Sequence, residues 1–391
     1  MAVNFLPPIA NASQFPQPSV SATPDFHLKD VVLFNRSPYH LENAVFTRNG
    51  RGAIGIAGKA LKKTADNIIL IPAYHCPALV EPFIWLGYQI HFYPVMENLQ
   101  VDKAMLNSML DELNPTHVVV VRYFGFNQNV DEMIAMLRGR PVEIIEDCAH
   151  SLFRFLHHFD PKMASDIEVS ASICSINKIL PTVDGGALYL PNKPAGTLQQ
   201  TSWADELKAF AYLLGIPQAL DKFRSRSKAV NSDQTANIGT TKDASPSIKP
   251  SIEQEDKALR YFQPVDVESA SYRHTHYILG KSQIETIREK RRKNFEYLIS
   301  KIDNPVVGHP LYTSLDQFDV PYVLPFLLND DKHFFTLRKN GIQILRWEET
   351  AVSECKNSMH YRSHLIQIPC HHQLTKEQMD FVIDTINSIQ S

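Results

Sequence analysis

Two short segments place a carboxylate and a lysine where they could act on one small molecule. Residues 143–150 place Asp147 two positions after the apolar pair Ile144-Ile145, and Lys178 stands seven residues before the pair Gly185-Gly186. A lysine amine can form a Schiff base with an aldehyde, and a carboxylate can keep a pyridine nitrogen protonated. A protein holds pyridoxal 5'-phosphate (PLP) through these two groups, so the segments predict a PLP site.

Each of these residues has a plainer interpretation when it is taken alone. Lys178 could be an ordinary surface lysine at a strand end, and Asp147 could be the N-cap of the following helix. His150 lies three residues after Asp147 and could contact the ring hydroxyl or the ring face, although a single histidine is more often structural. Ser172 and Ser175 add hydroxyl groups close to Lys178. We therefore predict that these five residues bind PLP together.

A glycine-rich turn, Asn49-Gly50-Arg51-Gly52, precedes a predicted helix. Amides at a helix N-terminus bind phosphate because they lack acceptors within the helix and because the helix dipole favours an anion. We predict that Gly50, Arg51 and Gly52 hold the cofactor phosphate, with Arg51 adding positive charge. A plain turn is the alternative, since short glycine motifs are weak signals.

The elements that must position these residues alternate between helix and strand. We predict helices over 51–63, 76–86, 102–113 and 130–137, and strands over 67–71, 89–93, 117–121 and 142–145. Strands separated by helices are typical of an α/β fold with a mostly parallel sheet flanked by helices. In such sheets the active site lies at the carboxyl ends of the strands, where Asp147 is expected.

Three regions are predicted along the chain. Residues 1–28, with five prolines, form an extended N-terminal arm. Residues 29–265 form a large PLP-binding domain, in which the polar stretch 228–257 is a flexible insertion. Residues 266–391 begin with a long helix near 280–301 and form a smaller C-terminal α+β domain. The charged run at 290–293 is interpreted as the solvated face of that helix.

Composition excludes several classes of function. The chain has 391 residues and a net charge of −3, so no basic excess indicates nucleic acid or an anionic membrane as a partner. The five cysteines have no CxxC spacing, which favours a reducing compartment. No secretory signal and no apolar run of membrane-spanning length is evident, so we expect a cytoplasmic protein. Adjacent histidine pairs make poor chelates, and no metal site is predicted.

Taken in order, these motifs resemble the DegT/DnrJ/StrS family of PLP-dependent nucleotide-sugar aminotransferases, which has the type I fold of aspartate aminotransferase. The resemblance runs from about residue 45 to the C-terminus. The matching segments are 49–54 (phosphate turn), Ile71-Pro72, Gly87, 122–126, 146–150 (Glu-Asp-x-Ala-His), Lys178 before Gly185-Gly186, and 365–371.

The resemblance implies a PLP-dependent transferase of type I fold that works as a homodimer with active sites at the subunit interface. Lys178 would bind the cofactor as a Schiff base and then shuttle a proton. The amino group would come from an amino acid, with glutamate as the expected donor, and pass to a keto-sugar carried on a nucleotide, for polysaccharide or secondary-metabolite biosynthesis. One family subtype, the sugar 3-dehydratases, replaces the lysine with histidine, and Lys178 argues against it.

Two positions depart from the family pattern. Arg51 replaces the threonine of the phosphate turn, and Cys76 replaces the aromatic residue that covers the cofactor ring. We expect His75 to take that stacking role. These departures leave two alternatives open. One is a non-catalytic PLP-binding homologue that acts as a sensor or scaffold, and the other is a PLP enzyme acting on a carbonyl compound that is not a sugar.

Overall fold

The computed structural model describes residues 3–27, 39–160, 162, 168–191, 196–216 and 259–390. The predicted insertion at 228–257 lies outside these residues. Within them, no helix is both long enough and apolar enough to cross a membrane.

A seven-stranded sheet forms the centre of the larger region. Its strands are β1 (Val45–Thr47), β2 (Ile68–Pro72), β3 (Gln89–Tyr93), β4 (His117–Val121), β5 (Glu143–Cys148), β6 (Ala171–Ser175) and β7 (Gly186–Tyr189). Their order is β1-β7-β6-β5-β4-β2-β3. The neighbouring strands β3, β2, β4, β5 and β6 are parallel to one another. Strand β7 runs antiparallel to β6, and β1 runs antiparallel to β7. The predicted α/β class with a mostly parallel sheet is confirmed.

Helices connect these strands and cover the sheet. They are α1 (Gly50–Leu61), α2 (Pro77–Trp85), α3 (Lys103–Leu113), α4 (Val130–Leu137) and α5 (Leu152–His157), followed by α6 (Trp203–Leu213) after the sheet. Strands β4 and β6 are buried along their whole length, which explains the continuous apolar run of four valines in β4. Because β2, β4, β5 and β6 are parallel, the chain leaves all four at one edge of the sheet, and that edge carries the predicted site residues.

The C-terminal region contains a smaller antiparallel sheet. Its strands are β8 (Gly308–Pro310), β9 (Val323–Leu328) and β10 (Leu365–Pro369), in the order β10-β9-β8. Its helices are α7 (Arg273–Lys281), α8 (Ile284–Ile299), α9 (Lys332–Lys339), α10 (Lys356–His364) and α11 (Lys376–Asn387). One cluster of buried apolar side chains runs from α1 through the large sheet to β9 and β10. The domain boundaries at 28/29 and 265/266 stay a prediction.

The N-terminal arm packs against the C-terminal region. Phe5 pairs with Ala351 in an isolated β-bridge, and Val20 pairs with Ile342 in another. The Val20 side chain is buried at 1% exposure, which anchors an otherwise extended segment. The segment also contains one short 3₁₀ helix, Ala12–Gln14, and the extended arm expected over residues 1–28 stays a prediction.

The long helix predicted at 280–301 is divided into α7 and α8. Ser282 adopts an extended backbone conformation, with φ −67° and ψ 143°. Its hydroxyl donates a hydrogen bond to the carbonyl of Ile278 at 2.7 Å, so the side chain competes with the helical backbone pattern at this point. The helix that crosses the smaller region therefore starts at Ile284.

Candidate active site

Asp147 and Lys178 line the same cavity at the carboxyl edge of the large sheet. Two adjoining cavities meet there, and both are lined by Asp147, Lys178, Cys76, Leu79 and Ala149. The larger one has a volume of about 220 Å³ and extends to the N-terminus of α1. A carboxylate and an amine 31 positions apart in the sequence thus face one space, as the PLP prediction requires.

Burial dominates the electrostatics of Asp147. The strand β5 buries this carboxyl group to 7% exposure, and burial raises its pKa to about 6. The hydrogen bond from the amide of Ala149 to Oδ1, at 2.7 Å, and the charge of Lys178 both oppose that rise. Among the described residues nothing donates to Oδ2, so this oxygen is available to a positively charged or N–H-bearing ligand in the cavity.

The turn that carries Lys178 is fixed by backbone contacts. Lys178 ends a short 3₁₀ helix that begins at Ile176, directly after β6. The amide of Ile176 donates to the carbonyl of Gly185 at 2.8 Å, and the amide of Leu180 donates back to Ile176 at 2.9 Å. Within the described residues no acceptor binds the Lys178 amine, which is therefore free to react with an aldehyde in the cavity.

The glycine pair after Lys178 lets this turn approach the phosphate turn. A Cβ atom on Gly186 would lie 2.2 Å from the carbonyl oxygen of Asn49. Gly185 has φ +136°, a conformation that side-chain-bearing residues rarely adopt. The spacing Lys-x6-Gly-Gly thus follows from the contact between the lysine turn and the start of α1.

The N-terminus of α1 fits a phosphate group. Asn49 caps the helix by accepting the amide of Gly52 at 2.9 Å, while the amides of Gly50 and Arg51 have no acceptor among the described residues. A Cβ atom on Gly50 would lie 2.5 Å from the hydroxyl oxygen of Ser175, so only glycine leaves this space open. Two unpartnered amides and a serine hydroxyl at a helix N-terminus form an anion site.

Arg51 does not point freely into the phosphate site. Its Nε lies 3.8 Å from the carboxylate of Asp266, which also accepts a hydrogen bond from the Asn49 amide nitrogen at 2.8 Å. Arg51 lines the larger cavity through the rest of its side chain and is about one-third exposed. Its predicted role as a cationic phosphate ligand therefore requires competition with Asp266.

The two candidate histidines lie in the smaller cavity with different surroundings. The His75 ring stacks on Phe92 with centroids 4.9 Å apart, its Nδ1 lies 2.9 Å from the carbonyl of Pro72, and its Nε2 accepts the amide of Ala351 at 3.3 Å. Burial lowers the pKa of His75 to about 4. Stacking of His75 on the cofactor stays a prediction, and Cys76 is at least as well placed because it lines both cavities.

His150 presents a neutral imidazole to the cavity. Its ring packs against Tyr322 at a centroid distance of 4.6 Å and against Phe124 at 5.4 Å. Burial, followed by the charge of Lys178, lowers its pKa well below 6.5. No hydrogen bond to this side chain is formed by the described residues, so a ring nitrogen can contact a ligand.

Ser172 is not brought together with the other predicted site residues. Side chains alternate along β6, so Ser172 and Ser175 point to opposite faces of the sheet. The Ser172 hydroxyl donates to Sγ of Cys148 at 3.7 Å, and the residue lines neither cavity. Ser175 lines the larger cavity beside Gly50, as predicted.

Three residues of the site were not found from the sequence. Trp347 lines the smaller cavity and packs on His150 at a centroid distance of 5.2 Å. It belongs to the C-terminal region and carries no local signal. Asn177 and Arg122 also line the cavities, and their positions directly before Lys178 and directly after β4 were signals that could have identified them.

A buried charge network lies behind Asp147. The neighbouring Glu146 is fully buried, with Oε1 2.5 Å from Nε of Arg122 and Oε2 2.8 Å from Nε2 of His158. Arg122 also binds Asp131 at 2.6 Å, which Arg154 shares at 2.6 Å. Burial alone would raise the pKa of Glu146, but the surrounding positive groups lower it well below 4.5. The network joins the carboxyl ends of β4 and β5, and β5 is the strand that carries Asp147.

The fold and the cavity together are those expected of a PLP-binding transferase. Residues 38–197 match the sequence model of the DegT/DnrJ/EryC1/StrS aminotransferase family. That segment contains α1, Asp147 and Lys178. The match confirms, over this segment, the resemblance to that family that the motifs predicted, and with it the class of enzyme, a PLP-dependent aminotransferase.

Several solved structures of aminotransferases have a similar fold. The chain is similar to PseC of Helicobacter pylori, an aminotransferase involved in pseudoaminic acid biosynthesis, with a TM-score of 0.58, 16% identity and coverage of 95% of this chain and 98% of that one. It is also similar to the sugar aminotransferase CalS13 of Micromonospora echinospora, with a TM-score of 0.56, 15% identity and coverage of 96% and 99%. A third similar structure is the aminotransferase TlmJ of Streptoalloteichus hindustanus, with a TM-score of 0.60, 11% identity and coverage of 89% of this chain and 85% of that one. At these identities the comparisons show the fold.

Proposed function

We propose that the protein transfers an amino group from an amino acid, glutamate in the first instance, to a keto-sugar carried on a nucleotide. The observation that carries the proposal is the convergence of Asp147, Lys178 and the free amides of α1 on one cavity. These groups match the ring nitrogen, the aldehyde and the phosphate of PLP.

Each residue of the site has a distinct part in this reaction. Asp147 would hold a proton at the pyridine nitrogen, because its buried carboxylate favours a cationic partner. Gly50, Arg51 and Ser175 would orient the phosphate from the helix N-terminus. Lys178, whose amine has no acceptor among the described residues, would bind the aldehyde and then hold and move the proton at the reacting carbon. PLP, when bound, supplies an electron sink for the resulting carbanion.

The surroundings of the cavity suit an uncharged part of the ligand. Trp347 and the neutral imidazole of His150 form one wall, and Leu79 lies on another. We infer that Trp347 and His150 exclude water from the ring while a nitrogen of His150 contacts the ring hydroxyl. Exclusion of water strengthens the interaction between Asp147 and a bound cation.

The nucleotide-sugar substrate is supported by the family and by the sugar-modifying relatives. CalS13 is described as a sugar aminotransferase, and PseC as an aminotransferase involved in the biosynthesis of pseudoaminic acid. We propose a role in polysaccharide or secondary-metabolite biosynthesis in the cytoplasm, performed by a homodimer. The net charge of −3 gives no reason to expect a nucleic-acid or membrane partner.

Absorption spectroscopy of the PLP-loaded protein tests the proposal. We expect a visible band that glutamate bleaches and that a nucleotide keto-sugar restores, since the amino group leaves the protein with the product. A band that no amino acid bleaches would favour the non-catalytic homologue. Bleaching by glutamate with restoration only by simple keto acids, and not by nucleotide keto-sugars, would contradict the sugar substrate.

A further inference from the structure

The charged run at 290–293 contains one fully buried residue. Lys290 and Lys293 are exposed, as expected for a solvated helix face, whereas Arg291 has 0% exposure and is the largest fully buried side chain among the described residues. Arg291 lies four residues after Ile287 and four before Phe295, so the periodicity of α8 places it on the buried stripe. The interpretation of the whole run as solvated was wrong for this residue.

The guanidinium of Arg291 binds only neutral backbone oxygens. Nη2 donates to the carbonyl of Ile179 at 3.1 Å, and Nη1 donates to the carbonyls of Tyr322 at 3.0 Å and Pro321 at 3.2 Å. Within the described residues no carboxylate lies within 4.0 Å of it. The titratable groups around it are a phenol, a thiol and two histidines, namely Tyr322, Cys370, His371 and His372.

A buried cation without a counter-ion is costly to the fold. Burial opposes the charged form of Arg291 and lowers its pKa from the ordinary value, although an arginine side chain stays protonated in proteins. A leucine or methionine at this position of α8 would avoid the desolvation of a charge altogether. The position therefore holds an arginine for a reason other than the packing of α8.

The three carbonyls connect Arg291 to the active site. Ile179 directly follows Lys178 and ends its 3₁₀ turn. Tyr322 packs its ring on His150 with a centroid distance of 4.6 Å. The planar guanidinium of Arg291 thus links the Lys178 turn to the segment that contains Tyr322, whose ring packs against His150 of the cavity wall.

We propose that Arg291 is a positioning residue of the aminotransferase reaction: its guanidinium fixes the Lys178 turn relative to the His150 wall. This inference rests on the proposed role of Lys178. The planar fork of arginine donates in two directions at fixed angles, which a lysine ammonium does not reproduce. A lysine that moves a proton during turnover must hold its amine over the reacting carbon, and a misplacement of about 1 Å can cost about 100-fold in rate.

Three variants test the positioning role. Arg291→Met removes the donors while keeping an apolar side chain, Arg291→Lys keeps the charge without the fork, and Lys293→Met is the matched control on the exposed face of α8. An aliquot of each PLP-loaded protein is reduced with borohydride, and the fraction labelled at Lys178 is measured by peptide mass spectrometry. The kcat is measured on the unreduced protein and divided by this fraction. A loss of folded, PLP-binding protein therefore does not lower the corrected kcat.

We expect Arg291→Met to lower kcat per labelled site about 10- to 100-fold, with the KM for the amino donor changed by less than about threefold. Arg291→Lys should recover part of that loss, and Lys293→Met should match the wild type. A kcat per labelled site at the wild-type value in both Arg291 variants would overturn the proposal. If Arg291→Met does not fold, the kcat per labelled site of Arg291→Lys alone tests the proposal, and a wild-type value in that variant would overturn it.

A second measurement separates this inference from the proposed function. Hydrogen exchange of the apoprotein reports the Lys178 turn directly, because the amides of Ile179 and Leu180 both donate to the carbonyl of Ile176. We expect exchange in this turn to quicken in the Arg291 variants and to stay at the wild-type rate in Lys293→Met. Unchanged exchange in the Arg291 variants would contradict the proposed link between Arg291 and the Lys178 turn, whether or not the wild type transaminates.

Discussion

Removal of the Glu146 carboxylate tests the network behind the active site. We choose Glu146→Leu, because leucine is similar in volume and cannot bind Arg122 or His158. The substitution leaves the Arg122 guanidinium, which is 2% exposed, beside an apolar side chain in the interior. The His158 ring loses its acceptor at 2.8 Å at the same time.

The expected loss follows from the two hydrogen bonds and from the unpaired charge. Hydrogen bonds that involve a charged group contribute about 1.5–3 kcal/mol each. Two of them give a sum of about 3–6 kcal/mol, which overlaps the range of about 3–5 kcal/mol for breaking one partner of a buried ion pair. Asp131 and Asn127 still bind Arg122, so we expect the lower half of that range.

Urea denaturation of the apoprotein measures this loss. The control is Glu132→Leu, whose carboxylate pairs with Lys103 on the surface at 64% exposure and should contribute about 1 kcal/mol or less. The double variant Arg122→Met/Glu146→Leu should lose less than the sum of its single variants, because no buried charge is left unpaired beside residue 146. A Glu146→Leu loss no larger than that of the control would refute the reasoning.

Two further predictions concern the cofactor site. Gly52→Ala should weaken PLP binding about tenfold or more and lower the apoprotein Tm. The added Cβ would lie 2.3 Å from the backbone oxygen of Asp266 and force Asp266 away from the phosphate turn. Gly139→Ala is the control, because its Cβ would meet nothing within 4 Å, and equal PLP affinities of the two variants would contradict the prediction. In Asp147, burial raises the folded-state pKa from 3.8 to about 6, so the stability that the bound proton contributes is present below about pH 4 and is lost as the pH rises through 6. Asp147→Asn should therefore gain about 3 kcal/mol of unfolding free energy relative to the wild-type apoprotein between pH 4 and pH 7, measured by denaturation at each pH, whereas a constant difference would exclude the raised pKa.

Local patterns were sufficient for several of the elements that surround β5, the strand of Asp147. The strands predicted at 89–93 and 117–121 have the observed bounds, and the helix at 130–137 does too, because short apolar or amphipathic runs between polar turns define them. The glycine pair after Lys178 was also informative, because two turns that approach each other this closely leave no room for a side chain at Gly186. These signals fixed the edge of the sheet at which the site lies.

Contacts between distant segments could not be predicted in the same way. Trp347 reaches the cavity only because the C-terminal region packs over the large sheet, and no local pattern marks it. Ser172 was misplaced because its alternation relative to Ser175 was not considered, and Arg291 was misplaced because charge outweighed helical periodicity. The position of His75 against Phe92 depends on the neighbouring strand β3, which its own sequence segment does not specify.

Borohydride trapping of PLP on the wild-type protein tests the central claim most directly. We predict that peptide mass spectrometry finds the reduced cofactor on Lys178, and that Lys178→Ala removes the label while Asp147→Asn keeps it. A label on a different lysine of the wild type, or an undiminished label in Lys178→Ala, would contradict the claim that Asp147 and Lys178 hold one cofactor between them.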